Sequence, residues 1–270
     1  MIRSGANEAT QTGPRASVER GVRFHSGLAA VLVQSPGICT ASWECIDWEP
    51  KEAGRICNLY RLTAPASAIA AFFDSAPADG ANHAWTLSPT DPGLVVARGK
   101  VQAMGWGFPR IADSKVTGQR LKPTAVANTR SDRIGSPFWL ASFQRRRCLI
   151  PAAAWAEAAG EKGCMTRTWF SLPGEEIFAI AGIWCNSPEW GHVYSMLMVP
   201  GHPLMEPLND RMPVILRRED WKTWTDGTPT AAHALCRTWD APLTVEPTCQ
   251  PWSDRARPLA PPITQLSLPL

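Results

Sequence analysis

Apolar residues between positions 57 and 249 fall into short runs bounded by turn residues, which is the pattern of β-strands. One pair of runs, at 94–108, predicts a hairpin that turns at Gly99 and Lys100. Further strands are predicted within residues 57–63, 169–185 (two strands around "PGEE"), 192–200 and 243–249.

Helical patterns are fewer. Residues 63–73 begin with a threonine and a proline typical of a helix start, and place Ile69, Phe72 and Phe73 on one face. Two more short helices are predicted at 218–226 and 230–239. Strands joined by short turns, with a few inserted helices, predict an α+β fold around a mostly antiparallel β-sheet.

The two ends of the chain lack these patterns. Residues 1–56 are rich in small and polar residues, and we expect a disordered leader or a mis-annotated N-terminal extension there. The folded domain is expected at 57–249, followed by a proline-rich flexible tail at 250–270.

Composition narrows the class of protein. No apolar run reaches about 18 residues, and no basic-led apolar segment with a cleavage site begins the chain. We therefore expect a soluble cytoplasmic protein without a membrane partner. The eight cysteines occur singly and without a CxxC pair, so neither a metal site nor a cofactor is predicted.

Arginine is concentrated between residues 128 and 147, although the net charge of the whole chain is only +3. Five arginines in this stretch accompany a single acid, Asp132. Clustered guanidinium groups suit phosphate, and a solvated basic face is the alternative. The five are Arg130, Arg133, Arg145, Arg146 and Arg147.

Three segments taken together resemble one family: "CNLYRLTA" (57–64), "VANTRSDRIGSPFWLASFQRRRCLIPAAAWAEA" (126–158) and "NDRMPVIL" (209–216). Weaker matches, "GWGFP" (105–109) and "FAIAGIW" (178–184), follow the same order. The combination is similar to the SRAP family, the abasic-site processing proteins also called SOS response-associated peptidases. The resemblance covers roughly residues 57 to 225 and implies the SRAP fold.

The resemblance implies that Cys57 is the reactive residue. Family members begin at a cysteine that bonds covalently to abasic sites in single-stranded DNA. An amine and a thiol on one terminal residue can together close a thiazolidine ring on the sugar aldehyde, which an internal cysteine cannot do. We therefore expect the working chain to begin at Cys57, because translation starts at Ile56 or because the leader is removed. A buried structural thiol is the alternative.

By the same resemblance, Asn128 matches the active-site asparagine and Glu157 the catalytic glutamate, a proton shuttle in imine formation. A turn residue is the alternative for Asn128. The alanine-rich surroundings of Glu157 favour a solvated helix, and we follow the family pattern instead. Asn209 stands where the family has a histidine that passes protons during crosslink reversal, and no spacing argument makes His202 its substitute.

DNA contact is implied for one aromatic residue and three arginines, which would hold a base and the phosphates. These residues are Trp106, Arg130, Arg133 and Arg211. Core packing is the alternative for Trp106, since the chain has 13 tryptophans. Two further departures from the family are "CNLY" for the commoner "CGR", which leaves Arg61 as a candidate for the next arginine, and Ala158 in place of a tryptophan.

The last six residues, "QLSLPL", resemble the peptide by which bacterial proteins dock on the DNA sliding clamp. A clamp-binding peptide on a flexible tail would raise the local concentration of the protein near replicated DNA. An accidental apolar tail is the alternative. The clamp-binding residues would be Gln265, Leu266, Leu268 and Leu270.

These patterns predict a monomeric, nucleoid-associated enzyme that caps abasic sites in single-stranded DNA covalently and shields them from strand breakage. One alternative is a cysteine autopeptidase that removes its own leader, with Cys57 as nucleophile and Glu157 assisting. The other is a non-catalytic single-strand binder held at the sliding clamp. The expected partners are abasic single-stranded DNA and the clamp.

Overall fold

The computed structural model describes residues 58–77, 85–206 and 208–252. The predicted leader at 1–56, the reactive Cys57 and the clamp-binding residues from Gln265 to Leu270 lie outside these ranges. Within the described ranges, every helix is too short or too polar to span a bilayer.

Helices are few and short. In the part of the chain that the structure describes, three 3-10 helices occupy Ser131–Arg133, Pro203–Met205 and Arg218–Asp220. The described α-helices are α1 (Ala66–Phe72), α2 (Pro137–Arg145), α3 (Trp221–Asp226) and α4 (Pro229–Ala234).

Strands are the main regular element of the described fold. They are β1 (Tyr60–Arg61), β2 (Thr86–Leu87), β3 (Pro92–Ala97), β4 (Lys100–Trp106), β5 (Phe108–Arg110), β6 (Thr124–Val126), β7 (Asn128–Arg130), β8 (Arg147–Ala152), β9 (Ala154–Ala159), β10 (Thr166–Ser171), β11 (Phe178–Ser187), β12 (Gly191–Pro200), β13 (Arg211–Pro213), β14 (Ile215–Leu216) and β15 (Thr244–Pro251).

Five of the strands close into a ring. The order is β12, β4, β3, β8 and β11, and β11 pairs with β12 again. All neighbours in the ring are antiparallel except β12 and β4. Two short strands, β7 and β13, add to β12, and β14 adds to β11. Strands β3 and β8 are buried along nearly their whole length, which their aliphatic residues favour.

The second sheet is antiparallel throughout, in the order β15, β10, β9, β1 and β2. Its strand β9 sends Trp155 into the main core, where the ring lies 5.6 Å from Phe170 and 6.0 Å from Phe178 between centroids. The other face holds a smaller apolar cluster around Trp169. A third sheet consists of β5 and β6 alone.

Tyr60 ties the second sheet to the ring. Its hydroxyl lies 2.6 Å from that of Tyr194 on β12, and burial raises the pKa of both groups, so both stay protonated. A side chain at Gly93 would clash with both hydroxyls, so the close approach requires glycine. The contact fixes the short strand β1, and with it the chain segment that follows position 57.

The predicted α+β class with a mostly antiparallel sheet is confirmed. The first hairpin turns at Arg98 and Gly99, one residue earlier than predicted. Their φ angles of 53° and 71° are the consecutive left-handed pair that a type I′ turn requires. Strand β15 continues beyond the predicted domain end at 249. The sequence pattern gave no prediction for α2 and β8, and the residue propensities around β9 favoured a helix where the structure has a strand.

Candidate active site

Glu157 lies on β9 with its side chain only 2% exposed. Strand alternation puts it on the same face as Trp155. It pairs with Thr168 on β10, and the register of β1, continued by the Leu59 carbonyl that accepts from the Ala156 N–H, brings Asn58 across from it. The fold therefore encloses this carboxylate between strands, and the solvated helix favoured by its alanine-rich surroundings is wrong.

Asn209 contacts Glu157 directly. Its Nδ2 donates to Oε2 of Glu157 at 2.9 Å, and the residue is 5% exposed. Its Oδ1 accepts the backbone N–H of Arg211 at 3.1 Å, which fixes the orientation of the amide. An amide donates this hydrogen bond but does not take up a proton near neutral pH. Proton transfer at this contact therefore rests on Glu157.

Asn128 approaches from the start of β7. Its Nδ2 donates to Oδ1 of Asn58 at 3.4 Å, and the side chain is largely buried. The next residue, Thr129, lies 2.8 Å from Ser195 on β12 between hydroxyl oxygens, which anchors this strand. The predicted residues Asn128 and Glu157 thus flank Asn58, and the turn reading of Asn128 is wrong because the residue begins a strand.

Arg130 and Arg211 lie at the edge of this cluster and share one carboxylate. Arg130 donates from Nε and Nη2 to the two oxygens of Asp132, at 3.0 and 2.6 Å. Nη1 of Arg211 lies 3.8 Å from the same side chain. The side chains of Arg130 and Arg211 are 46% and 20% exposed. Arg133 is exposed on the adjoining 3-10 helix.

Trp106 corrects a prediction. Its side chain is fully buried, and its Nε1 donates to the Ala127 carbonyl at 3.0 Å. The ring lies 5.0 Å from Tyr60 and 6.4 Å from Tyr194 between centroids. A DNA base cannot stack on a ring enclosed in this way, so the predicted base contact is wrong and Trp106 belongs to the core.

Part of the predicted basic cluster is also structural. Arg147 is 7% exposed and donates to the carbonyls of Phe143, Trp224 and Gly227. Arg146 donates to the Trp184 carbonyl and to the Ser142 hydroxyl, both at 3.1 Å. Both guanidinium groups are used inside the fold, and neither forms the solvated basic face.

The two substitute residues considered from the sequence lie elsewhere. His202 caps the 3-10 helix Pro203–Met205 by accepting the Leu204 N–H on Nδ1 at 3.1 Å, and burial lowers its pKa. Arg61 lies over the Trp169 ring, 4.2 Å from its centroid, on the face of β1 opposite Tyr60. Neither residue joins the cluster around Glu157.

Two residues of the site were missed by the sequence analysis. Asn58 follows the cysteine in the strand-like run "CNLYRLT" and carries no chemical signal of its own. Asp132 was counted only as the single acid among arginines, although its spacing of two residues from Arg130 allows their ion pair. Within the described residues, no group of three or more histidine, cysteine or acidic side chains could hold a metal ion.

The arrangement joins a buried carboxylate, three amides and two arginines. A buried carboxylate held by an amide can move protons in a site shielded from water. Guanidinium groups at its edge can hold a phosphate. The arrangement can therefore support acid–base chemistry beside a bound phosphate group.

Comparison with known proteins identifies the family of the chain. The family model described as SOS response associated peptidase (SRAP) matches residues 56–250. The proteins named abasic site processing protein YoqW, from Bacillus subtilis (strain 168) and from Bacillus phage SPbeta, are each 31% identical over 150 residues. These matches span 50% of this chain and 63% of the relatives, which is less than two thirds of their length.

Solved structures show the same fold. A protein from Bordetella bronchiseptica is 21% identical with a TM-score of 0.61, over 71% of this chain and 99% of its own. A protein from Bacteroides thetaiotaomicron is 18% identical with a TM-score of 0.59, over 71% and 91%. Since the family model matches well over half of the sequence, the chain belongs to the SOS response associated peptidase (SRAP) family.

Proposed function

We propose that this protein processes abasic sites in single-stranded DNA by bonding covalently to the opened sugar through an N-terminal Cys57. The buried Glu157, held by Asn209 and flanked by Asn58 and Asn128, is the observation that carries the proposal. The relatives named abasic site processing proteins support the substrate.

Cys57 is bonded directly to Asn58, and consecutive Cα atoms lie about 3.8 Å apart. The register of β1 brings Asn58 across from Glu157. In a chain that begins at Cys57, the amine and thiol would therefore be one residue away from the position that faces this carboxylate. We infer that residues 1–56 are absent from the working protein. Intact-mass measurement of protein made from the native gene tests this, and a species that retains residues 1–56 contradicts it.

The amine and thiol of Cys57, with Glu157 as proton donor, are sufficient for the proposed reaction. The amine of Cys57 adds to the sugar aldehyde, and loss of one water molecule gives an imine. The thiolate then adds to the imine carbon while the nitrogen takes up a proton, which closes the five-membered thiazolidine. Glu157 would donate the proton that the departing water needs. Because Asn209 does not titrate, we expect slow reversal of the ring.

The direct test mixes the chain that begins at Cys57 with an abasic oligonucleotide and follows a band that survives denaturation. We expect Cys57→Ser and N-terminal acetylation each to abolish the band. The matched control is Cys164→Ser, which removes an exposed thiol elsewhere. A band of undiminished yield after acetylation contradicts the proposal.

Glu157→Gln tests the proton shuttle. It keeps the shape of the side chain, and we expect the crosslinking rate to fall by about 100-fold or more. Glu175→Gln, an exposed glutamate in the turn before β11, is the matched control. An unchanged rate in Glu157→Gln, measured by quenched time points, contradicts the assigned role.

A peptidase acting on its own leader is the second candidate, and the family description favours it. The same Cys57 and Glu157 would then cleave the bond before Cys57. Leader loss from a purified full chain without any DNA crosslink supports this candidate. Salt-sensitive binding of single strands without a crosslink or leader cleavage indicates instead a non-catalytic binder.

We also propose that the tail from Gln265 to Leu270 docks on the bacterial sliding clamp. A tethered protein meets damaged sites near replicated DNA at a higher effective concentration. Deleting residues 265–270 should abolish clamp binding in a pull-down or calorimetric measurement. Unchanged clamp affinity contradicts this proposal and leaves the crosslinking chemistry unaffected.

A further inference from the structure

Asp132 occupies the space between two arginines that we expect to hold DNA. Both of its oxygens accept from Arg130, at 3.0 and 2.6 Å, and Arg211 stands 3.8 Å away. The parallel two-oxygen contact is the same one that a guanidinium group makes with a phosphate. The carboxylate therefore occupies a position in which an anionic group faces two guanidinium groups.

The position of this anion site relative to Glu157 fits a nucleic-acid strand. The backbone N–H of Arg211 holds Asn209, whose amide holds Glu157. Asn209 therefore lies between Arg211 and Glu157 and is hydrogen-bonded to both. In DNA each sugar is bonded to phosphates on both sides, so a sugar beside Glu157 brings a phosphate toward these arginines.

The ion pair between Asp132 and Arg130 is open to solvent, so another anion can replace the carboxylate. The side chain of Asp132 is 51% exposed, and the residue belongs to a 3-10 helix of three residues. The hydrogen bond from Arg130 lowers the pKa of Asp132, so the group is ionised near neutral pH. Asp210 stands 3.9 Å from Arg211 and is 79% exposed, which makes it a second and weaker anion at the same edge.

We propose that Asp132 stands in for a DNA phosphate in the free protein and is displaced when a strand binds. This inference rests on the proposed function, since it says how the same site admits DNA. A resident anion keeps the arginines extended toward the binding position. It also lowers affinity for any single strand, because the phosphate must replace a charged partner rather than water.

The test compares Asp132→Asn with the wild-type chain in binding an undamaged oligothymidylate by fluorescence anisotropy. The variant should bind about two- to fivefold more tightly, as expected when an exposed ion pair no longer competes. The slope of log affinity against log salt should change by much less than the value of about 0.7 for one phosphate contact, because Arg130 neutralises the same phosphate in both proteins once Asp132 has been displaced. Asp132→Ser repeats the test should the first variant fold poorly.

Asp240→Asn is the matched control. Asp240 pairs with Arg217 at 2.7 Å and its side chain is 77% exposed, so its removal makes the same charge change at another surface ion pair. We expect the control to bind DNA as the wild-type chain does. Equal tightening in both variants, or weaker binding by Asp132→Asn, overturns the inference, because the effect would then be general charge or loss of arginine positioning.

A second arm separates this inference from the proposed function. Inorganic phosphate is titrated while the Arg130 Nε–Hε signal is followed by NMR. A response that begins at lower phosphate concentration in Asp132→Asn supports the anion site. If the wild-type chain binds no single strand although phosphate shifts this signal, the proposed function fails and the anion site stands. If phosphate shifts it equally in both proteins, the inference fails.

Discussion

Two arginine-bearing regions that look alike in the sequence do opposite things in the fold. Arg147 is buried and donates to four backbone carbonyls, those of Phe143, Gln144, Trp224 and Gly227. Arg130 is exposed and donates to the carboxylate of Asp132. Only 17 positions separate the two arginines, in a stretch where Asp132 is the single acid.

The two arginines differ in whether another group could replace their hydrogen-bond acceptors. Backbone carbonyls are held in place by the chain and cannot move aside for a ligand. The hydrogen bonds of Arg147 therefore fix α3 and the end of α2 against β8. A carboxylate on an exposed side chain can move aside for another anion. Local arginine density therefore says little about phosphate binding until the partner of each arginine is known.

Arg147→Met should have the largest effect and should act on stability. Several buried carbonyls lose their donor at once, and we expect the free energy of unfolding to fall by about 3 kcal/mol. Urea unfolding followed by tryptophan fluorescence measures it. The control Arg145→Met, at an exposed neighbour, should stay within about 0.5 kcal/mol of the wild-type value. Weaker DNA binding by Arg147→Met without loss of stability would contradict the structural role.

Trp106→Phe should come next and extend the comparison to the aromatic residues. The change removes buried ring volume and the hydrogen bond to the Ala127 carbonyl, with an expected cost of about 2 kcal/mol. Single-strand affinity of the folded variant should be unchanged, because the ring has no exposed surface. Trp190→Phe, at a residue that is 38% exposed, is the control and should unfold as the wild-type chain does. A loss of DNA affinity in Trp106→Phe without a loss of stability would contradict this and support a contact between Trp106 and a DNA base.

Strand patterns predicted the fold class because the buried runs alternate with clear turns, as in "IFAIAGIWC" around β11. They failed for β9, where "AWAEAA" has residues of high helix propensity. This segment is a strand because Trp155 and the small alanines pack between β1 and β10. Tertiary packing overrides a propensity difference of a few tenths of a kcal/mol per residue.

The candidate site was predicted through motif resemblance, and local chemistry alone would not have found it. Asn128, Glu157 and Asn209 are far apart in sequence and meet through pairings of β7, β9 and the segment before β13. The sequence left core packing open as the alternative for Trp106 and gave no sign that Arg147 is buried, since burial depends on which strands close the ring. Tryptophan and arginine each serve both core and surface, so residue type alone could not separate the two uses.

Arg130→Ala should have a smaller effect, on binding and not on folding. Loss of one phosphate contact should weaken oligothymidylate binding about fivefold at low salt and reduce the salt slope by about 0.7. Arg217→Ala, which breaks the surface pair with Asp240, is the matched control and should leave both quantities unchanged. The contrast with Arg147 fails if Arg130→Ala instead lowers the urea midpoint and spares DNA affinity.

The smallest effect concerns pH and tests whether the Arg130 partner is a titrating anion. The hydrogen bond from Arg130 lowers the pKa of Asp132 below its value in the unfolded chain. The pair therefore adds stability above the unfolded pKa of about 3.9, and that stability is lost as pH falls through the lower folded value. The difference in unfolding free energy between wild type and Asp132→Asn should be small and constant from pH 7 to 5, then shrink toward pH 3. For Arg147→Met no such convergence is expected from its carbonyl partners, because carbonyls do not titrate, so urea unfolding of both variants across this range separates the two kinds of arginine contact.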